Sequence, residues 1–220
     1  FRNADQDRRQ RLLGYFSWID GKLEKSLYSN DLKHLFSSFQ MENPLEVSLK
    51  NFVRDPNPLN QMLYLEAKHF LADHNLIYTD KVGMAAGVEV RVPLLDRELI
   101  EFAVRIPPHL KLKGGTLKYL FKKAMEPYLP KEIIYRSKSG FGVPLRKWLA
   151  GPLRECVGDL LSDSQIKKRG LFDPKAVKKL IEANKQGKVD GAYPIFSLMC
   201  IEWWQRIFLD ASREASFSKC

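Results

Sequence analysis

Apolar residues recur at helical spacing along most of this chain, and this periodicity restricts the fold more than any other feature. Near the start the intervals are four, three, four and four residues, at Leu12, Phe16, Ile19, Leu23 and Leu27. Such intervals place side chains on one face of a helix. The spacing therefore predicts an amphipathic helix over residues 5–28.

Further helices are predicted where a capping residue precedes an apolar stripe. The residues with this signature are Ser29, Asp96, Thr116 and Asp173. The segment from Ile195 to Leu209 is apolar on nearly all sides, which is typical of a buried helix. These stripes predict a mainly α fold, with residues 1–220 as a single helical domain and 211–220 as a frayed tail.

One short segment has the alternation of a strand. In VEVRV at residues 88–92, Glu89 and Arg91 lie on one side and three valines on the other. Pro93 limits this segment to an edge strand or an extended loop. A buried Glu89–Arg91 charge pair that orders the loop is the favoured interpretation, and a general-base role for Glu89 is the alternative.

Charge and composition narrow the classes of function. Lys and Arg exceed Asp and Glu by 36 to 26, a net charge of +10, which is compatible with nucleic acid, phosphate ligands, acidic partners or a membrane surface. No apolar run approaches the roughly 20 residues that span a bilayer. Cys156, Cys200 and Cys220 are far apart without metal-ligand spacing, which indicates reduced thiols, no zinc site and a cytoplasmic location.

Two lysines have surroundings that suit phosphate. Lys138 lies in a loop with Ser137, Ser139 and Gly140, whose hydroxyls and unhindered amides are groups that bind phosphate oxygens. Lys118 follows Thr116 at the predicted start of a helix, near the positive end of its dipole. On spacing alone, a solvated side chain is the favoured interpretation of both lysines, and the neighbouring hydroxyls and glycines are what favour a phosphate role for Lys138.

The segments MAAGVEVRVPLLD (84–96) and RSKSGFGVP (136–144) resemble motifs of the synthetase domain of asparagine synthetases and of the related β-lactam synthetases, and the likeness extends over residues 59–209. The resemblance implies the C-terminal helical part of an α/β, PP-loop ATPase-like domain that binds an adenine nucleotide, with most of the core sheet outside this chain. It also implies ATP and Mg²⁺ as cofactors and a carboxylate substrate, aspartate or a related acid. Ammonia would come from glutamine, through a glutaminase domain outside this chain.

The same resemblance gives the motif positions their roles. Lys118 and Lys138 match lysines that contact the phosphates. The other matching positions are expected on the ATP or substrate side or in architectural roles: Asp80, Glu89, Arg91, Asp96, Ser137, Ser139 and Gly140. No metal ligands are indicated.

The chain also departs from the family pattern. The SGGxDS and SGEGxDE segments do not occur, the first residue is Phe1 rather than the glutaminase cysteine, and Gly83 stands where many members have Ser or Thr. We therefore expect a fragment that is inactive alone. Two alternatives stay open, a non-catalytic helical interaction module and a basic nucleic-acid-binding domain. The second is less favoured because no aromatic residues interleave with the lysines at 167–169 and 175–179.

Overall fold

The computed structural model describes residues 5–39, 42–52, 56–137, 140 and 142–210. In chain order the α-helices of this part are α1 (Arg8–Gly14), α2 (Gly21–Leu27), α3 (Asn30–Ser38), α4 (Pro44–Asn51), α5 (Pro58–Leu65), α6 (Ile77–Ala85), α7 (Arg97–Arg105), α8 (Pro108–Lys111), α9 (Tyr119–Met125), α10 (Lys131–Ile134), α11 (Leu145–Ala150), α12 (Arg154–Leu160), α13 (Asp163–Arg169), α14 (Pro174–Lys185) and α15 (Ala192–Gln205). A two-stranded antiparallel hairpin, β1 (Leu112–Lys113) and β2 (Thr116–Leu117), is the only sheet in the described residues. The predicted mainly α fold is confirmed.

Three helical segments of the described residues depart from α geometry. Glu66–Leu76 and Arg206–Asp210 are π-helical and continue α5 and α15, and Pro93–Leu95 is a 3₁₀ turn. Residues 88–92 pair with no other segment in the described part, so the strand alternative was wrong and the extended-loop alternative was right. No described helix has both the length and the apolar character that a membrane crossing requires.

The chain divides into two compact units. The first comprises Phe1–Phe16 and Glu42–Gly140, and the second comprises Ser17–Met41 and Phe141–Cys220. The expectation that residues 1–220 act as one helical domain stays a prediction.

The second unit has a continuous apolar core. It is formed by α2 and by the helices from α11 to α15, and its buried residues are Leu27, Leu145, Leu149, Val157, Leu160, Leu161, Ile166, Val177, Leu180, Ala192, Ile195, Leu198 and Met199. Backbone bonds join its two sequence segments: the Ser29 amide donates to the Leu171 carbonyl (2.9 Å), and the Asp173 amide donates to the Leu27 carbonyl (2.8 Å). These bonds hold α2 and α3 against the turn between α13 and α14.

The predicted single helix over 5–28 was wrong. Helix α1 ends at Gly14, and α2 begins only after Asp20. The Asp20 carboxylate accepts hydrogen bonds from the amides of Lys22 (2.9 Å) and Leu23 (3.2 Å), as an N-cap does. The apolar stripe continues in phase through the break, and the local cap starts a new helix.

Only one face of α15 is buried. Ile195, Leu198 and Met199 are in the core, while Trp203 and Trp204 are 42% and 52% exposed. The prediction of a buried helix is therefore right for one face of α15 and wrong for the other. Glu202, although charged, lies on the buried face because arginine side chains neutralise it there.

The first unit buries few side chains. Among its described residues only Leu12, Ser48 and Leu65 are buried, and α7 has none. Its local conformation is fixed mainly by caps and tight turns.

At the end of α6 the amides of Gly87 and Val88 donate to the carbonyls of Met84 (3.0 Å) and Gly83 (2.9 Å), and Gly87 has a φ of +69°. This is a Schellman turn, and it sends residues 88–92 back along the helix.

Candidate functional site

Lys118 has the most unusual backbone of the predicted site residues. It precedes α9 as the N-cap residue, with φ 55° and ψ 37° in the left-handed region. It is the only described residue other than glycine with positive φ. Such a conformation costs an L-residue about 1–2 kcal/mol, so the surrounding chain must hold it in place.

The hairpin before Lys118 supplies that constraint. Gly114 and Gly115 have φ values of +55° and +78°, and Leu112 pairs with Leu117 while Lys113 pairs with Thr116. Two consecutive positive φ values form a type I′ turn, which Gly-Gly favours. The hairpin therefore fixes the chain immediately before Lys118.

Thr116 is not the helix cap that the sequence predicted. It belongs to β2, and no side chain among the described residues caps α9. The Gly-Gly pair was the signal for a hairpin, but a threonine before an apolar stripe has the same appearance as an N-cap. Lys118 is consequently the residue that joins hairpin and helix, rather than a member of the first helical turn.

The chain around Lys118 is strongly basic. Residues 105–138 contain nine lysines and arginines and two glutamates, so this segment has a net charge of +7, and the whole chain has a net charge of +10. Lys113 Nζ lies 5.0 Å from the Tyr119 ring centroid, and Lys122 Nζ lies 5.5 Å from that of Tyr135. Aromatic faces thus support two of the ammonium groups next to α9.

The predicted phosphate loop is only partly described. Ser137 and Gly140 are exposed and lie after α10. Lys138 and Ser139 lie outside the described residues, so their predicted contacts stay predictions. Lys118, Ser137 and Gly140 all belong to the first unit.

Glu89 and Arg91 pair as the alternation predicted, but the pair is not buried. Arg91 Nε lies 3.0 Å from Glu89 Oε1, and Arg91 Nη2 lies 3.2 Å from Oε2. Their side chains are 68% and 82% exposed. An exposed pair of this kind stabilises a fold by at most about 1 kcal/mol, so the expectation of a buried pair was wrong.

Asp96 and Asp80 lie on separate helices. Asp96 caps α7 by accepting from the amides of Glu98 (3.0 Å) and Leu99 (3.2 Å), which confirms its predicted capping position. Asp80 is exposed in the first turn of α6. Within the described residues no three His, Cys, Asp or Glu side chains are grouped so that they could hold a metal.

A serine, a histidine and an aspartate form a row that the sequence did not reveal. Ser48 Oγ lies 2.9 Å from His69 Nε2, and His69 Nδ1 lies 3.9 Å from Asp73 Oδ2. Ser48 lies inside α4 and is only 3% exposed, so a substrate has no access to its hydroxyl. The row joins α4 to the π-helical segment and has a structural role.

A model of the asparagine synthase family matches residues 3–206. The chain belongs to the asparagine synthase family. Within this family the chain is 33% identical over 152 residues to asparagine synthetase [glutamine-hydrolyzing] 1 of Bacillus subtilis. The aligned residues cover 69% of this chain and 24% of that protein. It is 32% identical over 157 residues to a putative asparagine synthetase [glutamine-hydrolyzing] of Mycobacterium bovis, covering 71% of this chain and 24% of that protein.

A differently named relative of this asparagine synthase family member is amidase chyE of Penicillium rubens. It is 32% identical over 139 residues, covering 60% of this chain and 21% of the relative. The chain spans about a quarter of the length of the curated relatives it matches. No solved structure matches it.

Proposed function

We propose that this chain forms one side of the ATP site of an asparagine-synthetase-like amidotransferase, an enzyme that activates a carboxylate with ATP and converts it to an amide. The Bacillus subtilis and Mycobacterium bovis relatives are named as glutamine-hydrolyzing, and we propose the same ammonia source for the complete enzyme. The glutaminase would lie outside these 220 residues. Aspartate or a related acid is the proposed substrate.

The left-handed conformation of Lys118 is the observation that carries this proposal. A strained residue persists only where its surroundings determine it, and such residues cluster at functional sites. Here the hairpin on one side and α9 on the other fix the backbone, and the ammonium stays exposed. A preorganised, solvent-accessible cation suits the phosphates of a nucleotide.

The distribution of charge supports the same proposal. Residues 105–138 carry +7, and this segment includes both motif lysines, Lys118 and Lys138. A ligand with several negative charges is attracted to such a segment over a distance of about 10 Å at ordinary ionic strength.

The proposed reaction has two steps. A carboxylate oxygen forms a bond to the α-phosphorus of ATP, and the bond from that phosphorus to the bridging oxygen breaks, so that pyrophosphate leaves. Ammonia then forms the C–N bond and loses a proton, the acyl C–O bond breaks, and AMP leaves. Negative charge grows on pyrophosphate in the first step, and Lys118 and Lys138 would stabilise it.

Ser137, Ser139 and Gly140 would donate hydroxyl and amide hydrogen bonds to phosphate oxygens. Asp80, Glu89, Arg91 and Asp96 would order the neighbouring chain or contact the substrate. Mg²⁺ belongs to the same family expectation, but the described carboxylates are not grouped as a metal site. We therefore assign the metal no ligands and no step.

Acid-dependent exchange of labelled pyrophosphate into ATP tests the first step directly. We expect exchange with aspartate or a related acid in the complete synthetase that carries this chain. We expect little exchange from the 220 residues alone, because the SGGxDS and SGEGxDE segments are not in the sequence. Lys118→Ala should lower exchange about 10²-fold.

Lys185→Ala is the matched control, because Lys185 forms an exposed ion pair in the second unit. Its exchange rate should equal that of the wild type. Exchange that needs no carboxylic acid, or that survives Lys118→Ala unchanged, would refute the proposal.

A further inference from the structure

Helix α7 and its C-cap residue divide into a charged face and an apolar face. The charged residues recur at helical spacing on one side, and they are Arg97, Glu98, Glu101 and Arg105. The apolar residues recur at intervals of three, one and three on the opposite side, and they are Leu99, Phe102, Ala103 and Ile106. These four residues are called the apolar face of α7 below.

The apolar face of α7 is open to solvent in the part of the chain that the structure describes. All residues from 97 to 105 are exposed, and Phe102 is 60% exposed. In the second unit the amphipathic helix α14 instead buries its apolar residues Val177 and Leu180 in the core. An open apolar face of this kind marks a surface that contacts a partner.

The length of α7 also indicates that a partner covers it. Helices shorter than about 12 residues are marginal in water unless an amphipathic face packs against another element, and α7 has 9 residues. The Asp96 cap and the exposed Arg97–Glu101 ion pair are its described local supports. Both are modest, so the helix needs a surface against which its apolar face can pack.

The curated relatives have the chain that could supply such a surface. The aligned residues make up 24% of the Bacillus subtilis and Mycobacterium bovis proteins, so about three quarters of each relative lies outside the match. A second copy of this chain fits less well. The apolar face offers on the order of 300 Å², whereas a stable dimer buries about 800 Å² on each partner. Surfaces within one polypeptide need less area, because the connecting chain raises their effective concentration.

The end of α7 is linked to the hairpin that precedes Lys118. Lys111 Nζ donates to the Val104 carbonyl at 3.4 Å and to Asn60 Oδ1 at 3.0 Å. Lys111 is the last residue of α8, and Leu112, the next residue, begins β1. Since the hairpin fixes the backbone before Lys118, a surface that holds α7 also restrains Lys118.

We propose that the apolar face of α7 docks on an apolar surface in the part of the complete synthetase that lies outside these 220 residues. The contact places Lys118 relative to that part of the enzyme. The inference rests on the proposed function for its link to Lys118, whereas the docking itself does not depend on catalysis.

Thiol labelling of the complete synthetase tests the docking. Ala103→Cys places a thiol within the apolar face with little change of size, and Glu101→Cys is the matched control on the charged face of the same helix. Both positions lie in the tryptic peptide 98–105, which contains none of the natural cysteines. Mass spectrometry of this peptide after a short maleimide treatment gives the labelling rate of each thiol.

We expect Ala103→Cys to react at least tenfold more slowly than Glu101→Cys in the complete synthetase, and at a similar rate in the 220-residue chain. The protection should be unchanged when the synthetase is diluted tenfold, because the contact lies within one polypeptide. Adding Phe102→Ala should speed the labelling of Ala103→Cys. Phe102→Ala alone should lower acid-dependent pyrophosphate exchange about tenfold, with Glu101→Ala like the wild type.

Equal labelling of the two thiols in the complete synthetase would overturn the inference. Protection that weakens on dilution would overturn it in favour of a second copy, and protection in the 220-residue chain would show that the chain covers its own helix. Faster labelling with wild-type exchange in Phe102→Ala would overturn the link to Lys118. A wild-type synthetase without exchange would refute the proposed function, while the labelling rates would still decide whether α7 docks.

Discussion

Arg169 and Glu202 form a two-bonded ion pair that is almost closed to solvent. The Arg169 Nε and Nη2 atoms lie 2.8 and 3.0 Å from Glu202 Oε2 and Oε1, and the two side chains are 10% and 5% exposed. Asp210 accepts from the same guanidinium, and Arg206 Nε lies 2.8 Å from Glu202 Oε1. The pair joins α13 to α15 inside the second unit, next to its apolar core.

Glu202→Gln should lower the free energy of unfolding by about 3 kcal/mol at pH 7, because two arginines lose their shared counter-charge. Urea unfolding measures the effect. Glu182→Gln removes one partner of an exposed pair with Lys185 and should cost less than about 1 kcal/mol. Equal effects of the two substitutions would contradict this account.

The effect of Glu202→Gln should also depend on pH. Burial alone would raise the pKa of Glu202, but hydrogen bonds from Arg169, Arg206 and Gln165 outweigh burial and hold the pKa below its ordinary value of 4.5. A depressed folded pKa contributes stability that is complete above 4.5 and is lost as the pH falls through the folded value. The difference between the wild type and Glu202→Gln should therefore shrink on acidification from pH 7 towards pH 3.

Lys118→Gly should raise the stability of the first unit by about 1 kcal/mol, because glycine adopts the left-handed conformation without strain. The same change removes the ammonium and should lower pyrophosphate exchange about 10²-fold, as expected for Lys118→Ala. Lys122→Gly, inside α9, should instead lower stability by about 1 kcal/mol. Thermal unfolding and the exchange assay together separate these effects. A loss of stability in Lys118→Gly would show that the left-handed backbone is not a source of strain.

Local signals explain what the sequence predicted correctly. Asp96 and Asp173 cap the helices predicted for them, and Ser29 caps α3, because a cap depends only on residues two or three positions ahead. The break between α1 and α2 was missed because a cap at Asp20 interrupts an apolar stripe without changing its phase. Lys118 was placed inside a helix because the hairpin and capping signals overlap at Thr116.

Contacts between residues far apart in the chain could not be predicted from the sequence. Arg169 and Glu202 are 33 positions apart, and Ser48 and His69 are 21 apart, so no local spacing relates them. Burial of the Glu89–Arg91 pair was predicted wrongly for a related reason, since alternation fixes which side chains share a side but not whether that side is covered. The hydrogen bond from the Tyr135 hydroxyl to Glu126, 9 positions away, likewise depends on how the intervening turn folds.

Lys138→Ala should lower the rate of pyrophosphate exchange about 10²-fold in the complete synthetase, because a cation that faces the departing pyrophosphate acts mainly in the transition state. The loss should appear in kcat more than in KM for ATP. Lys185→Ala serves again as the control. If the Lys138→Ala enzyme has the same turnover as the wild type, Lys138 does not contact the phosphates and is a solvated surface residue.

Gly83→Ala should destabilise the turn between α6 and the extended segment 88–92. A Cβ atom at Gly83 would lie 2.9 Å from both the Val88 carbonyl oxygen and Val90 Cγ2, closer than real Cβ contacts. Since one of the two is a backbone atom, the segment must shift, and overpacking of this kind costs about 2 kcal/mol.

Gly158, which is exposed inside α12, is the control, because a Cβ atom added there would have no other atom within 4 Å. Gly158→Ala should instead gain about 1 kcal/mol from helix propensity. Amide hydrogen exchange in each helix measures both changes, and stabilisation by Gly83→Ala would show that residues 88–90 do not pack against α6 as described.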